Sequence, residues 1–256
     1  DNPVIEAAIL KASGYATLEE LQADEATYSS MVPREMVIEG DLDLINPGGE
    51  YPDPEETYLA FNLQCHDCGD LPYLSSMNYI LVMNLVGDIV ACHAHNESVS
   101  VDALHPSPVN SKEFYMGMNV KYSEDGPLGI WNWGTGDFKQ YDEYGWGGNS
   151  HDLQWAQDKY VWHVRTTTDW QFRLMDVETG KGASHLNISG GALPIGWENK
   201  AAREIDVNHF QFDSEDSVAY MSFRDLNAFV KTESFELEIG EDSGTTAAIK
   251  WIAGSH

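Results

Sequence analysis

Apolar residues recur at every second position in short runs, and turn residues separate the runs, so the chain reads as a succession of strands. Tyr58-Leu59-Ala60-Phe61 begins the first of them, and Tyr79-Ile80-Leu81-Val82-Met83 followed by Gly87-Asp88-Ile89-Val90 predicts a hairpin. From position 151 the pattern repeats itself. His151-Asp152-Leu153-Gln154-Trp155 leads to Lys159-Tyr160-Val161-Trp162-His163-Val164 and then to Phe172-Arg173-Leu174-Met175-Asp176. A second round runs from His209-Phe210-Gln211-Phe212-Asp213 through Val218-Ala219-Tyr220-Met221-Ser222-Phe223-Arg224 to Asn227-Ala228-Phe229-Val230-Lys231. The two units align on their leading histidines, His151 and His209. Each reads as strand, acidic turn, strand, turn and strand, which is one antiparallel sheet written out along the chain. Repeated sheets of this kind predict an all-β fold of the β-propeller type.

Before Tyr58 the pattern differs. Thr17 with Glu20 three positions on is a capping-box signature and predicts a short helix, while Asn46-Pro47-Gly48-Gly49 and Pro52-Asp53-Pro54 mark a loop. The expected division is therefore an N-terminal arm with a short helix and loop over 1–57, and propeller blades over 58–256. With one such unit to a blade, the chain of 256 residues supplies about four blades, fewer than a closed propeller usually has. The chain opens on Asp1 and stops at Gly254-Ser255-His256 directly after a strand. The expectation is a fragment, with a second polypeptide or a missing C-terminal part completing the propeller.

The His-Asp-Leu-Gln-Trp opening, the Asp176-Val177-Glu178-Thr179-Gly180 turn, Asn208-His209-Phe210-Gln211 followed by Ser222-Phe223-Arg224, and the closing Ile249-Lys250-Trp251-Ile252-Ala253-Gly254 together resemble the nucleotide-independent arylsulfotransferases over about 125–256. The resemblance implies a β-propeller whose blade-opening histidines face a central channel, and transfer of a sulfuryl group between phenolic compounds. Carried over residue by residue, it implies that His151 and His209 donate hydrogen bonds or shuttle a proton, and that Arg224 clamps the sulfate oxygens in a planar fork. Gln211 stands where the family usually has Asn. The family's covalent acceptor histidine opens a later blade, which the resemblance would place on a partner; His256 follows a strand end and does not match it. Among the dense aromatics of 128–172, Trp146 in Gly145-Trp146-Gly147-Gly148-Asn149 is the candidate for substrate stacking, and the rest read as packing between blades.

Charge narrows the setting. Acidic residues number 42 against 14 basic ones, for a formal charge of −28, which excludes attraction to nucleic acid or to anionic membrane surfaces. No apolar run approaches the length of a transmembrane helix. No Gly-x-x-x-x-Gly-Lys-Ser/Thr loop is present, which argues against a nucleotide-linked sulfate donor. Sequons at Asn96 and Asn187 permit N-glycosylation and, with the acidity, point to a secreted, extracellular protein. Cys65 and Cys68 form a Cys-x-x-Cys pair and Cys92 stands apart, so an oxidised protein would close one bridge and keep a thiol, or link to another chain. A structural zinc site drawing on Cys65, His66, Cys68, Cys92, His93 and His95 is the competing reading.

The reading needs no cofactor, and Ca²⁺ at Asp41-Leu42-Asp43 or Asp213-Ser214-Glu215-Asp216 is the ion the composition would accommodate. Two alternatives of other classes stand beside the enzyme. One is a non-catalytic extracellular glycoprotein that uses the propeller as a scaffold for assembly or homo-oligomerisation, and the other is a module binding calcium, a glycan or an anion.

Overall fold

The computed structural model describes residues 2–31, 53, 55–63, 77–96, 99–120, 128–141, 152–157, 159–164, 171–188, 207–223, 227–240 and 243–254. The N-terminal segment is helical: α1 (Pro3–Ser13), α2 (Leu18–Ala23) and α3 (Glu25–Met31). The capping box at Thr17 forms as the spacing predicts. The Thr17 hydroxyl oxygen accepts the Glu20 N–H at 3.2 Å. In return, the Glu20 carboxylate accepts the Ala16 N–H at 3.3 Å. Helix α1 is an addition to the sequence-based expectation. The Asn2 side chain accepts the Val4 N–H at 3.0 Å, Pro3 occupies the first turn, and Gly14 ends the helix at φ 78.

The first sheet has the order β1-β2-β3, with β1 (Tyr58–Leu63), β2 (Met77–Asn84) and β3 (Ile89–Asn96) pairing antiparallel. Every residue of β2 is buried. The helices lay Ile5, Ala8, Ile9 and Leu21 against Met77, Tyr79, Leu81 and Ala94, where each large aliphatic side chain contributes about 1.5–3 kcal/mol. The Tyr79 hydroxyl also donates to the Met31 carbonyl, tying α3 to β2.

Three more sheets follow in chain order: β4 (Val99–Pro106), β5 (Glu113–Val120), β6 (Leu128–Asn132) and β7 (Asp137–Tyr141); then β8 (Leu153–Gln157), β9 (Tyr160–Val164), β10 (Gln171–Asp176) and β11 (Lys181–Ile188); then β12 (Val207–Asp213), β13 (Val218–Phe223), β14 (Ala228–Thr232) and β16 (Ile249–Gly254). Four sheets in succession, each built from neighbouring segments, are four blades of a β-propeller, preceded by a short helical segment. The chain falls into two compact units, Asp1–Ser100 with Asn132–Asp137, and Val101–Trp131 with Phe138–His256.

Within the second unit, apolar side chains fill the space between consecutive sheets. Ala103, Tyr115 and Leu128 meet Leu153, Val161 and Met175, and Trp155 stacks on Tyr115 at 5.6 Å. Trp162, Phe172 and Leu174 meet Phe210, Met221 and Phe223, with Phe172 stacked on Phe210 at 4.7 Å. Trp155 and Trp162 therefore serve as inter-blade packing, as the aromatic density predicts.

One strand departs from the linear pattern. After β14 the chain crosses to the third blade, where β15 (Gly244–Ala247) pairs parallel with β11, then returns as β16 against β14. The His185 ring lies over Gly244, and a Cβ there would enter it. This crossover stitches the third blade to the fourth through backbone bonds such as His185 N–H to Ser243 O at 3.2 Å.

Three of the hairpins share one turn. Asn132, Asp176 and Asp213 each close a strand and accept the N–H groups two and three positions on, at 2.9–3.2 Å. The residue four positions on is left-handed in every case: Gly136 (φ 76), Gly180 (φ 70) and Ser217 (φ 54). Gly180 is constrained twice, because a Cβ would also land on the ring of Tyr141, whose hydroxyl donates to the Val177 carbonyl at 2.6 Å. Gly180→Ala should therefore destabilise by about 3 kcal/mol, from left-handed strain and steric overlap. Ser217→Gly should stabilise by about 0.5 kcal/mol, the relieved strain exceeding the added freedom of the unfolded chain. Urea unfolding midpoints of the two variants check both signs.

Candidate functional site

The first strands of three consecutive blades bring together side chains far apart in sequence. His105 lies near the end of β4, Asp152 immediately before β8, and His209 in β12. Asp152 is 5% exposed. Its Oδ2 lies 2.6 Å from Nδ1 of His209 and accepts the Phe210 N–H at 3.0 Å, while its Oδ1 lies 3.1 Å from Nε2 of His105. The two imidazoles are open to solvent, 57% exposed at His209 and 42% at His105. Two positions along, the side-chain Oε1 of Gln154 accepts the Phe212 N–H at 2.6 Å. The arrangement is a buried carboxylate carrying two accessible imidazoles, a combination suited to proton transfer and to donating hydrogen bonds to an anion.

The strand faces fix how the two repeats correspond. Gln154 pairs with Trp162, which packs on Phe210, so Asp152 and Gln154 face the fourth blade. In that blade Phe210 pairs with Met221 and points back to the third, leaving His209 and Gln211 on the opposite face, beside Ser222 and Tyr220. By face, His209 corresponds to Asp152 and Gln211 to Gln154. The structural repeat is thus shorter by a single position than alignment of His151 on His209 gives, and such a slip exchanges the two faces of a strand.

Of the residues singled out in the sequence, His209 lies in this cluster, and Gln211 is exposed two positions further along β12. His151, Arg224 and Trp146 lie outside the described residues, as do Cys65, Cys68 and the Asp41-Leu42-Asp43 segment. Asn96 ends β3, and Asn187 lies half-buried in β11 between Gln171 of β10 and Thr246 of β15. Cys92 is a free thiol on β3. In the Asp213 segment the Asp213 carboxylate is taken up by backbone N–H groups of its own turn. Among the described residues no three His, Cys, Asp or Glu side chains are arranged to hold a metal ion. Sequence reasoning missed His105 and Asp152 as site residues. His105-Pro106 reads as a connector, and Asp152 as part of a strand opening. The available signal was the polar face Asp152–Gln154 of an otherwise apolar strand.

No protein-family model matches the chain, and no curated protein matches it. Among solved structures it is similar to a chain of the mitotic checkpoint complex, at 12% identity over 70% of this chain and 48% of that one, with a TM-score of 0.47. It is also similar to the C-terminal WD40 domain of Sif2, at 10% identity over 80% and 49%, TM-score 0.43. A third is a protein of unknown function from Bacteroides caccae, at 9% identity over 65% and 55%, TM-score 0.42. The chain spans about half the length of each, from 48% to 55%. At these values the likeness transfers no activity, ligand or partner to this chain.

A second group of titratable side chains lies on β3 in the first unit. Strand alternation puts Cys92 with Ala94 on the face covered by the helices, and His93 with His95 on the other, their rings 4.4 Å apart. Cys92 therefore points away from the two histidines, which divides the side chains the zinc reading would need on one side. Burial pushes the Cys92 thiol up to about 12. Burial, and then the neighbouring charges of His95 and Lys11, bring His93 down to about 3, while burial brings His95 down to about 4. Both rings are held neutral in the folded state and titrate near 6.5 when unfolded, so the unfolded state binds more protons below that pH. Their contribution to stability is full above about 6.5 and falls away toward about 3 to 4. At Cys92 the folded value lies above the unfolded one, so its contribution is full below about 9 and lost as the pH climbs toward 12. Lowering the pH from 7 to 5 should cost about 2 kcal/mol per imidazole. Chemical unfolding across this range checks it, and the His93→Gln, His95→Gln double variant should show a flatter pH slope than the wild type.

Proposed function

We propose that this chain belongs to an arylsulfotransferase-like propeller that moves a sulfuryl group from one phenolic oxygen to another. The observation that carries the reading is the gathering of His105 and His209, both solvent-accessible, onto the buried Asp152 at the first strands of three blades. The motif resemblance supplies the substrate class, and Arg224 the cation that would clamp the sulfate oxygens of a protein whose net charge of −28 otherwise repels them. In the transfer the sulfur–oxygen bond of the donor aryl ester breaks and a bond from sulfur to the acceptor phenol oxygen forms. The acceptor's proton passes through an imidazole to the departing phenolate, so atoms and charge balance without an oxidant or reductant. His151 would join the two histidines, with Trp146 and Gln211 against the aromatic substrate. Secretion, glycans at Asn96 and Asn187, and a partner completing the propeller belong to the same proposal.

Completion by a second polypeptide is supported by the outward face of the fourth blade, where Phe229 is 61% and Trp251 42% exposed. Phe229 and Trp251 lie on the side of the sheet opposite Val230, which packs toward the third blade, so they occupy the side where a further blade would pack. Denaturing mass spectrometry of natively purified material, with and without reduction, should reveal an accompanying polypeptide; the chain alone at its own mass overturns this part.

A scaffold role is the second reading. It is favoured by one observation: Asp152 and Gln154 also bind backbone N–H groups of β12, as a purely structural clasp would. Turnover of 4-nitrophenyl sulfate with a phenol acceptor separates the two. The enzyme reading expects turnover that His209→Ala reduces by about 100-fold or more while leaving the melting temperature near that of wild type. Absence of turnover in the natively purified protein, with a lowered melting temperature in His209→Ala, would sink it in favour of the scaffold.

A further inference from the structure

Resting on the sulfuryl-transfer reading only for its chemical consequence, we propose that Asp152 is a positioning residue that fixes the proton on Nδ1 of His209 and on Nε2 of His105. It thereby decides which nitrogen of each ring meets a substrate. An ionised carboxylate accepts and cannot donate, so each ring nitrogen facing it carries the proton. A neutral imidazole has one N–H, so the opposite nitrogens, Nε2 of His209 and Nδ1 of His105, are left as lone-pair acceptors. The exposure of both rings keeps those nitrogens reachable.

The carboxylate is itself held. Oδ2 takes the Phe210 N–H at 3.0 Å as well as the His209 ring at 2.6 Å, so the backbone of β12 sets the plane in which the carboxylate lies. Phe210 is fully buried, stacked on Phe172 and packed on Trp162, which anchors that N–H in turn. At 5% exposure little water competes for either oxygen. Three first strands thus converge on one group, and the position of each imidazole follows from a backbone contact made elsewhere.

For the transfer this assigns the proton path by atom. The acceptor phenol gives its proton to Nε2 of His209 as its oxygen bonds to sulfur. The ring, now protonated on both nitrogens, keeps Nδ1–H against Asp152 and returns the Nε2 proton to the departing phenolate. Asp152 remains an anion throughout, so its removal should lower kcat and leave KM nearly unchanged.

The test uses long-range ¹H–¹⁵N correlation spectra of the histidine rings in the natively purified protein at a pH where they are neutral. Wild type should show His209 protonated on Nδ1 and His105 on Nε2. In Asp152→Asn the Phe210 N–H keeps the carbonyl oxygen at the Oδ2 position, so the amide donates to Nε2 of His105. This variant should convert His105 to the Nδ1–H form, leave His209 protonated on Nδ1, and reduce kcat by about 10-fold or more with KM held within about threefold. His105→Gln, which keeps a donor toward Asp152, should leave the His209 signature as in wild type. An Nε2–H form of His209 in the wild type, or an unchanged His105 signature in Asp152→Asn, overturns the proposal, and the wild-type spectrum decides it even where the variant fails to fold. If the signatures appear as expected but no sulfuryl transfer is found, Asp152 positions these rings for other chemistry, and the sulfotransferase reading alone fails.

Discussion

Two hydrogen bonds along the seam between β8 and β12 determine most of what matters in the second unit. Asp152 takes the Phe210 N–H and Gln154 the Phe212 N–H, two positions apart on each strand. These N–H groups belong to an edge strand of the fourth blade, where without a partner they would lie against an apolar interior at the cost of an unmade bond. Because both bonds come from the same face of the β8 segment, they set how far one strand lies along the other. Below the seam that register brings Trp162 and Phe172 onto Phe210. At its end it brings His209 onto Asp152.

The same chemistry accounts for part of the protein's acidity. Asp24 accepts from Thr27, Asp53 from Glu55, Asp176 from Glu178 and Thr179, and Asp213 from Glu215 and Asp216. Each is a short carboxylate satisfying backbone N–H groups of its own turn or helix start. Such residues are committed to local structure. Asp152 differs in kind: its partners lie far off along the chain, at His105, His209 and Phe210, and it is buried, whereas Asp24, Asp176 and Asp213 are half-buried and Asp53 is exposed.

Much of the fold was legible because it is written locally. The alternation in 58–63, 77–96 and 153–176, the capping box at Thr17 and the Asp-Val-Glu-Thr-Gly turn each depend on neighbours close along the chain. Helix α1 was equally local, announced by Asn2-Pro3 and Gly14. Strand β15 was not: it joins the third blade although it follows the third strand of the fourth, and nothing in Gly244-Thr245-Thr246-Ala247 points to β11. The site was half legible. His209 stood out as a strand-leading histidine, whereas His105 beside Pro106 looked like a connector.

By itself, then, the sequence determined that the chain makes strands, where most of them turn, and that its sheets repeat. The tertiary structure decided which residues of two repeats correspond, and which polar side chains share a site. The physical reason is the period of two along a strand. A shift by a single position leaves the hydrophobic pattern of a strand buried on both sides nearly unchanged but moves every side chain to the other face. Only hydrogen bonds between distant segments, from Asp152 and Gln154 to the backbone of β12, select one register. A bond to another segment's backbone leaves no mark in the identity of the residue that donates it.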